Sequence, residues 1–450
     1  MNRLIKTIFL AWLLIASAPM ANALTGSWRG ELVLGPNKLP LVFNFSEDGR
    51  GVTQCTFDSP NQGAKGIPTM VLYCSADSVW VACSQIGASY GGRIADGTIT
   101  GTFSQGGYSF PLVLKPETPI DERRPQTPRP PYPYTTIDTA FTAPDGAVMS
   151  ATLTLPADVT KGTRVPAVVM VTGSGPQNRD EELFEHKPFA VIADYLARNG
   201  IASLRYDDRG TAKSGGDFAS STIYTFKDDA AAAIGLLRSL PEVGSVGVIG
   251  HSEGGTIAFM LGAEGAPDFI VSLGGMAVSG KETILSQNAH SLARAGITGA
   301  EQANCLRLLG LVFDEMADQY RRGVSQPVDV DSIATAEGIV VNPALMASLR
   351  ASQGSRSDWY DAFLGLDARR YLEQTKCPVL AVNGGKDTQV SPANLDVVKA
   401  LVPEAQTLLL PELNHLLQHA TTGEMDEYGE IRETISPEAL AAMAAFIKGL

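Results

Sequence analysis

A serine stands at the centre of residues 250–255, Gly-His-Ser-Glu-Gly-Gly, which have the spacing G-x-S-x-G. An apolar run at 246–249 precedes this motif, and a helix-forming stretch follows it. In a tight strand-to-helix turn, the pattern exposes a serine hydroxyl as a nucleophile. Glycines suit such a turn because they carry no Cβ atom. A phosphate-binding loop would instead need G-x-G-x-x-G or a terminal Lys-Ser/Thr. We therefore predict that Ser252 is a nucleophile.

A serine hydroxyl needs a base, and in proteins with this motif the acid and then the histidine follow the serine. Three histidines follow Ser252. His415 comes just after the predicted strand 407–410, where a base-bearing loop should emerge. His290 falls within a predicted helical insertion, and His419 is predicted to be a structural residue. The order along the chain thus favours His415 as the base.

The acid should follow the strand before the last one. The apolar run 379–382 leads into a turn that contains Asp387. A carboxylate there can accept the Nδ1 proton of His415 and hold the useful tautomer. Asp387 is therefore the predicted acid, and Asp396 and Glu412 are the reserve candidates.

The oxyanion of acyl transfer needs two N–H donors. One is the backbone N–H of Glu253, directly after the nucleophile. The other is expected in the loop after the strand Val165–Val171. Ser174 is the first choice there and Gly175 the second, because Pro176 has no N–H.

Two charged features near the motif are less specific. The side chain of Glu253 could tune substrate choice or the charge of His415, or it could simply be an acid favoured at a helix N-terminus. The charged residues of 205–210 are predicted to be mostly structural, with Arg209 the one expected to reach the site.

Strands and helices must position these residues. From about residue 135 to 450, apolar strand patterns alternate with helical ones, which predicts an α/β fold with a mostly parallel sheet and helices on both faces. One stretch, about 280–375, is too long for a simple crossover and has helical periodicity. We expect it to form a cap over the carboxyl edge of the sheet, where binding sites collect.

The first part of the chain differs in pattern. Residues 24–115 hold short apolar runs separated by turn signals and contain no histidine, which predicts a small all-β barrel or sandwich. Residues 116–134 are rich in proline, and we expect a semi-rigid linker without helix there.

Residues 1–23 have the pattern of an export signal, with Arg3 and Lys6 before an apolar run and an Ala-x-Ala site at 21–23. This predicts a periplasmic or secreted bacterial protein with no membrane span after cleavage. The formal net charge of −13 makes nucleic acid an improbable partner. Five cysteines leave two alternatives open, namely one disulfide in the N-terminal cluster or free buried thiols.

At several of these stretches the chain resembles the bacterial carboxylesterases in which a small β domain precedes an α/β-hydrolase core. The resemblance implies Ser252, Asp387 and His415 as the catalytic triad and short acyl esters as substrates. Thr172 departs from the histidine that many hydrolases of the wider fold carry before the oxyanion loop. The matching stretches are 26–30, 59–68, 173–180, 205–210, 250–255, 384–387 and 413–415.

The predicted function is cleavage of short-chain carboxylic esters through an acyl-enzyme. The predicted partner is a small ester substrate, and neither a cofactor nor a metal ion is expected; the oligomeric state stays open. One alternative is a peptidase or thioesterase of the same fold. The other is a non-catalytic protein that binds glycan or envelope material.

Overall fold

The computed structural model describes residues 24–34, 37–157, 159, 162, 164–324 and 326–450. The predicted export signal, residues 1–23, lies outside the described residues. The chain divides into two compact units, one ending at Pro119 and the other beginning at Ile120.

The first unit is a closed antiparallel barrel in which each strand pairs with the next and β8 pairs back with β1. Side chains that alternate inward fill its interior, including Tyr90, whose hydroxyl donates to the carbonyl of Ile99 at 2.9 Å. Of the two predicted alternatives, the structure is the barrel. Its strands are β1 Gly26–Leu34, β2 Asn37–Glu47, β3 Thr53–Ser59, β4 Ala64–Cys74, β5 Ser78–Cys83, β6 Ala88–Ala95, β7 Thr98–Gln105 and β8 Tyr108–Pro116.

The second unit contains an eight-stranded sheet in the order β16-β15-β14-β13-β11-β12-β10-β9. Six strands, β11 to β16, are parallel, and β10 and β9 add an antiparallel edge. The predicted α/β class is confirmed, but the sequence patterns missed the two edge strands. The strands are β9 Thr135–Thr142, β10 Val148–Leu155, β11 Val165–Val171, β12 Ala202–Tyr206, β13 Val243–His251, β14 Ile270–Leu273, β15 Val379–Gly384 and β16 Gln406–Leu410.

Helices cover both faces of this sheet, and each face has its own apolar core. Strands buried on both faces explain the nearly continuous apolar runs in the sequence. Among the described residues, no helix combines the length and the apolar character needed to cross a membrane. The helices are α1 Ile120–Arg123, α2 Pro188–Arg198, α3 Ile223–Arg238, α4 Glu253–Ala263, α5 Gly280–Arg294, α6 Gly299–Arg321, α7 Val330–Ala336, α8 Pro343–Ser352, α9 Asp358–Leu364, α10 Arg369–Leu372, α11 Asn394–Leu401 and α12 Pro437–Lys448.

Helices α5 to α10 form the long insertion between β14 and β15. A separate apolar cluster holds them together, in which Leu308, Val312 and Met316 of α6 are almost fully buried. Helix α5 begins with a capping box, because the Ser279 hydroxyl accepts the N–H of Glu282 and the Glu282 carboxylate accepts the N–H of Ser279. The insertion is thus a small folded layer of its own.

The predicted linker is wrong from residue 120 onward, where the second unit begins. Residues 120–123 form helix α1, and Arg124 is only 2% exposed. Its guanidinium donates hydrogen bonds to the carbonyls of Phe184, Gly429 and Ile431. A buried charge is kept only where such acceptors satisfy it, so this segment belongs to the second unit and is not a spacer.

All five cysteines carry free thiols. Burial raises the pKa of Cys55 to about 12, so this thiol is inert at neutral pH. Of the two alternatives for the cysteines, the structure has the free thiols.

Candidate active site

Ser252 lies between the end of β13 and the start of α4, with φ 52° and ψ −117°. This positive φ is strained for a residue with a Cβ atom, and such strain collects at functional turns. The N–H of Ser252 donates to the carbonyl of Leu273 on the neighbouring strand, at 2.9 Å. The turn is therefore held at the carboxyl edge of the sheet.

Two glycines make the turn possible by close backbone contacts. A Cβ atom on Gly254 would lie 2.1 Å from the carbonyl oxygen of Val171, and one on Gly250 would lie 2.0 Å from that of Gly254. Such distances are far inside van der Waals contact. Helix α4 packs so closely against β11 and against its own turn that no Cβ atom fits at either position. This contact is the physical reason for the predicted glycines.

His415 Nδ1 lies 2.7 Å from Oδ2 of Asp387. The other carboxylate oxygen of Asp387 accepts the N–H groups of Gln389 and Val390, each at 2.8 Å. These bonds fix the carboxylate, which in turn fixes the ring and leaves Nε2 of His415 to exchange a proton. His415 and Ser252 line the same cavity. The structure thus brings the predicted base and acid together beside the predicted nucleophile.

The alternative residues lie elsewhere. His419 is half-exposed and bonds to Glu433, and His290 bonds to Glu424. Glu412 is exposed and pairs with Lys386. Asp396 is exposed on α11. None of these candidates is among the described residues that line the cavity of Ser252.

The predicted oxyanion loop follows β11 and packs on the nucleophile. A Cβ atom on Gly173 would lie 3.2 Å from the Cβ atom of Ser252. The N–H of Gly173 is bound by Glu181 at 2.8 Å, which leaves the next N–H, that of Ser174, as the first candidate donor. The N–H of Glu253 opens helix α4 and has no acceptor within the helix. Both predicted donors therefore lie in segments that adjoin Ser252.

Thr172 occupies the place where the resemblance implied a histidine. Its hydroxyl donates to Asp208 Oδ1 at 2.8 Å, and Asp208 Oδ2 accepts the N–H of Gln177 at 2.9 Å. Burial raises the pKa of Asp208 well above its ordinary value. A buried carboxyl group thus holds both ends of the oxyanion loop in place of the absent histidine.

The carboxyl group of Glu253 is buried between the loop and the insertion. It accepts the indole N–H of Trp359 at 2.8 Å, and the Ser174 side chain lies close enough to lower its pKa. Burial raises its pKa to about 7, although both groups oppose the shift. Glu253 therefore links the nucleophile helix, the oxyanion loop and helix α9.

Sequence reasoning missed a second histidine–carboxylate pair at this site. His251 is buried, with Nδ1 2.9 Å from Glu181 and Nε2 3.0 Å from the carbonyl oxygen of His415. The position of His251 next to the nucleophile could have signalled a role, but nothing in the spacing identified Glu181 as its partner.

The expectation that Arg209 reaches the site is wrong. Its guanidinium bonds to Asp229, which is almost fully buried, and to Asp145 at the surface. Arg209 lies outside the described residues that line the cavity. The charged motif 205–210 is structural, as predicted for most of it.

The cavity above Ser252 has a volume of about 300 Å³. Phe184, Trp359, Phe363 and Tyr428 give it aromatic walls, and among its described lining residues there is no lysine or arginine. Within the described part of the chain, no group of three or more His, Cys, Asp or Glu side chains is arranged to hold a metal ion.

Comparisons with known proteins agree with this geometry. The sequence model of the X-Pro dipeptidyl-peptidase family (S15 family) matches residues 145–417, a range that includes Ser252, Asp387 and His415. The chain belongs to this S15 family. Among curated proteins, this S15 chain is similar to Esterase EstD of Thermotoga maritima, with 25% identity over 255 residues, 56% of the chain and 54% of the esterase. It thus spans about half the length of that relative.

Solved structures similar to this S15 chain include the Pyrococcus furiosus esterase Pf2001, with a TM-score of 0.43 and 16% identity over 70% of the chain and 91% of the esterase. Another is Est1E from Butyrivibrio proteoclasticus with bound ferulic acid, with a TM-score of 0.40 and 14% identity over 69% and 96% of the two chains. The family match and the observed sheet and barrel confirm the resemblance to α/β-hydrolases with a fused β domain.

Proposed function

We propose that this S15 protein is a carboxylesterase that works through an acyl-enzyme on Ser252. The observation that carries the proposal is the 2.7 Å hydrogen bond between His415 and Asp387 beside a strained serine in one cavity. The similarity to Esterase EstD supports an ester as the substrate.

In the first step, Ser252 Oγ attacks the ester carbonyl and its proton passes to Nε2 of His415. Asp387 stabilises the imidazolium that forms, and the N–H groups of Glu253 and Ser174 bind the oxyanion. The tetrahedral intermediate expels the alcohol, which takes the proton from His415. Water then gives a proton to His415 and attacks the acyl-enzyme, and His415 returns this proton to Ser252 Oγ as the bond to the acyl group breaks and the acid leaves.

The cavity supports a small substrate. Its volume of about 300 Å³ lies at the lower end of ligand sites. Its aromatic and methionine lining, which includes Met276 and Met425, favours an apolar acyl group. Short, uncharged acyl chains therefore fit the site best.

A peptidase is the second candidate, because the family description names X-Pro dipeptidyl-peptidases. Both reactions use the same nucleophile and base, and they differ in the leaving group.

Export to the periplasm or the medium, through residues 1–23, is part of the proposal and rests on the sequence alone.

The test combines labelling with a substrate panel. A fluorophosphonate probe should label the wild-type protein and not Ser252→Ala. The panel contains p-nitrophenyl acetate, p-nitrophenyl butyrate, an X-Pro p-nitroanilide and an acyl thioester. Of these substrates, the two p-nitrophenyl esters should give the highest kcat/KM. Ser252→Ala should lower kcat for these esters by several orders of magnitude. Faster cleavage of the anilide would favour the peptidase. Absence of labelling would favour a binding protein and reject the proposal.

A further inference from the structure

We propose that His251 is a positioning residue that is held as an imidazolium by Glu181 and that fixes the base-bearing loop through the backbone carbonyl of His415. This role deepens the proposed function, since it acts on the same base.

The argument begins with the partners of the two ring nitrogens. Nε2 of His251 lies 3.0 Å from the carbonyl oxygen of His415, which can only accept a hydrogen bond. Nε2 must therefore carry a proton. Nδ1 lies 2.9 Å from Oε1 of Glu181. An ionised carboxylate also only accepts, so Nδ1 must carry a second proton.

Glu181 is buried and faces two hydrogen-bond donors. The side chain is 1% exposed, and the same Oε1 that faces His251 accepts the N–H of Gly173 at 2.8 Å. Two donors directed at one oxygen stabilise negative charge on it. In the alternative, both side chains are neutral, Glu181 carries the proton and Nδ1 of His251 accepts a hydrogen bond from it. The protonation of Nδ1 separates the two states.

The charged groups around His251 also favour its protonated form. Burial lowers the pKa of His251, but the Glu181 carboxylate, the hydrogen bond to the carbonyl of His415 and the charge of Asp387 together outweigh burial, so the pKa of His251 is raised above its ordinary value. The ring of His415 faces it with a centroid distance of 4.8 Å. The pair of His251 and Glu181 is thus a buried ion pair next to the base.

This ion pair joins three segments whose geometry the reaction needs. Gly173 belongs to the oxyanion loop, His251 ends the strand before the nucleophile, and the carbonyl oxygen belongs to the base itself. A shift of about 1 Å between such groups can lower a rate on the order of 10²-fold. We therefore expect loss of His251 to act mainly on kcat.

Selective labelling tests the charge state. The chain has only five histidines, so ¹⁵N-histidine gives a small set of ring signals, and His251→Gln assigns one of them. Both ring nitrogens of His251 should stay protonated at pH 7.5, and Glu181→Gln should convert the ring to its neutral form. An unprotonated ring nitrogen on His251 in the wild type would overturn the proposal. This readout does not depend on the substrate.

Kinetics test the positioning role. His251→Ala should lower kcat for p-nitrophenyl butyrate on the order of 10²-fold with KM changed less than about threefold. The matched control is His419→Ala, because His419 pairs with Glu433 at the same 2.9 Å but is half-exposed. That variant should keep the wild-type kcat.

Folding must be separated from positioning. An unchanged ring signal of the buried His186 in His251→Ala would show that the second unit is intact. If the His186 signal is lost, Glu181→Gln is used in place of His251→Ala. This variant is milder because the amide oxygen of glutamine can still accept the N–H of Gly173. A wild-type kcat in a folded His251→Ala would overturn the positioning role, whereas an inactive wild type with a doubly protonated His251 would reject only the esterase assignment.

Discussion

The indole N–H of Trp359 lies 2.8 Å from Oε1 of Glu253, so helix α9 of the insertion is bonded to the first residue of the nucleophile helix. The Ser174 side chain lies beside the same carboxyl group and lowers its pKa. The wall of the cavity and the oxyanion loop therefore both adjoin one buried carboxyl group.

A double-mutant cycle measures this link. Trp359→Phe keeps an aromatic ring against Phe363, with which Trp359 stacks, but removes the donor to Glu253. Together with Glu253→Leu, whose side chain cannot accept a hydrogen bond, the cycle should give a coupling free energy of unfolding of about 1–3 kcal/mol, since Trp359→Phe alone leaves a buried acceptor without its partner. Urea denaturation of the four proteins checks it, and additive effects would contradict the bond.

Titration of Glu253 should make stability depend on pH. Burial raises its pKa to about 7 in the folded protein, above its ordinary 4.5, so the folded state binds the proton more tightly than the unfolded state. This contribution is fully present below pH 4.5 and is lost as the pH rises through about 7. Between these values the wild type should lose about 3 kcal/mol relative to Glu253→Gln. Equal pH profiles of unfolding for the two proteins would contradict it.

Asp387→Asn should lower kcat for p-nitrophenyl butyrate by about 10⁴-fold, because the amide no longer selects the tautomer of His415 or stabilises its imidazolium. Asp396→Asn is the control, since Asp396 is exposed on α11. It should keep wild-type turnover. A large loss of kcat in Asp396→Asn together with a small loss in Asp387→Asn would indicate that Asp396, and not Asp387, is the acid.

Esters with an anionic acyl group should be poor substrates. The described residues that line the cavity include Glu253 and the pair of Glu181 and His251, whose charges offset each other, and no lysine or arginine. A hemisuccinate ester should therefore have a kcat/KM lower by roughly 10-fold or more than the butyrate ester of the same alcohol. Gln287→Arg adds a cation to the lining and should narrow the difference. Equal rates in the wild type would contradict this selectivity.

The pair of Arg209 and Asp229 should matter for stability and not for substrate choice. Asp229→Ala leaves a buried guanidinium with only the surface residue Asp145, and should lower the free energy of unfolding by about 3 kcal/mol. Asp331→Ala removes the partner of Arg350 in a solvent-exposed pair and should leave the free energy of unfolding nearly unchanged. Similar losses in both variants would contradict the effect of burial.

Local patterns in the sequence were sufficient for the fold class and for the positions of Ser252, Asp387 and His415. Each of these residues lies in the turn or loop that follows a parallel strand, and the ends of parallel strands meet at one edge of a sheet. The order of strands and functional residues along the chain therefore predicts which side chains approach each other. The sequence patterns did not identify strands β9 and β10, because no functional motif or helix follows either of them.

Contacts between distant segments could not be predicted in this way. His251 and Glu181 are 70 residues apart, Trp359 and Glu253 are 106 apart, and Arg124 bonds to residues more than 300 positions away. Proline content around residue 120 predicted a spacer, but buried carbonyls that need a donor fixed Arg124 in the second unit. Sequence alone thus determined the fold class and the strands that carry Ser252, Asp387 and His415, and only the tertiary structure decided which buried charges pair, because pairing depends on distance and desolvation in space.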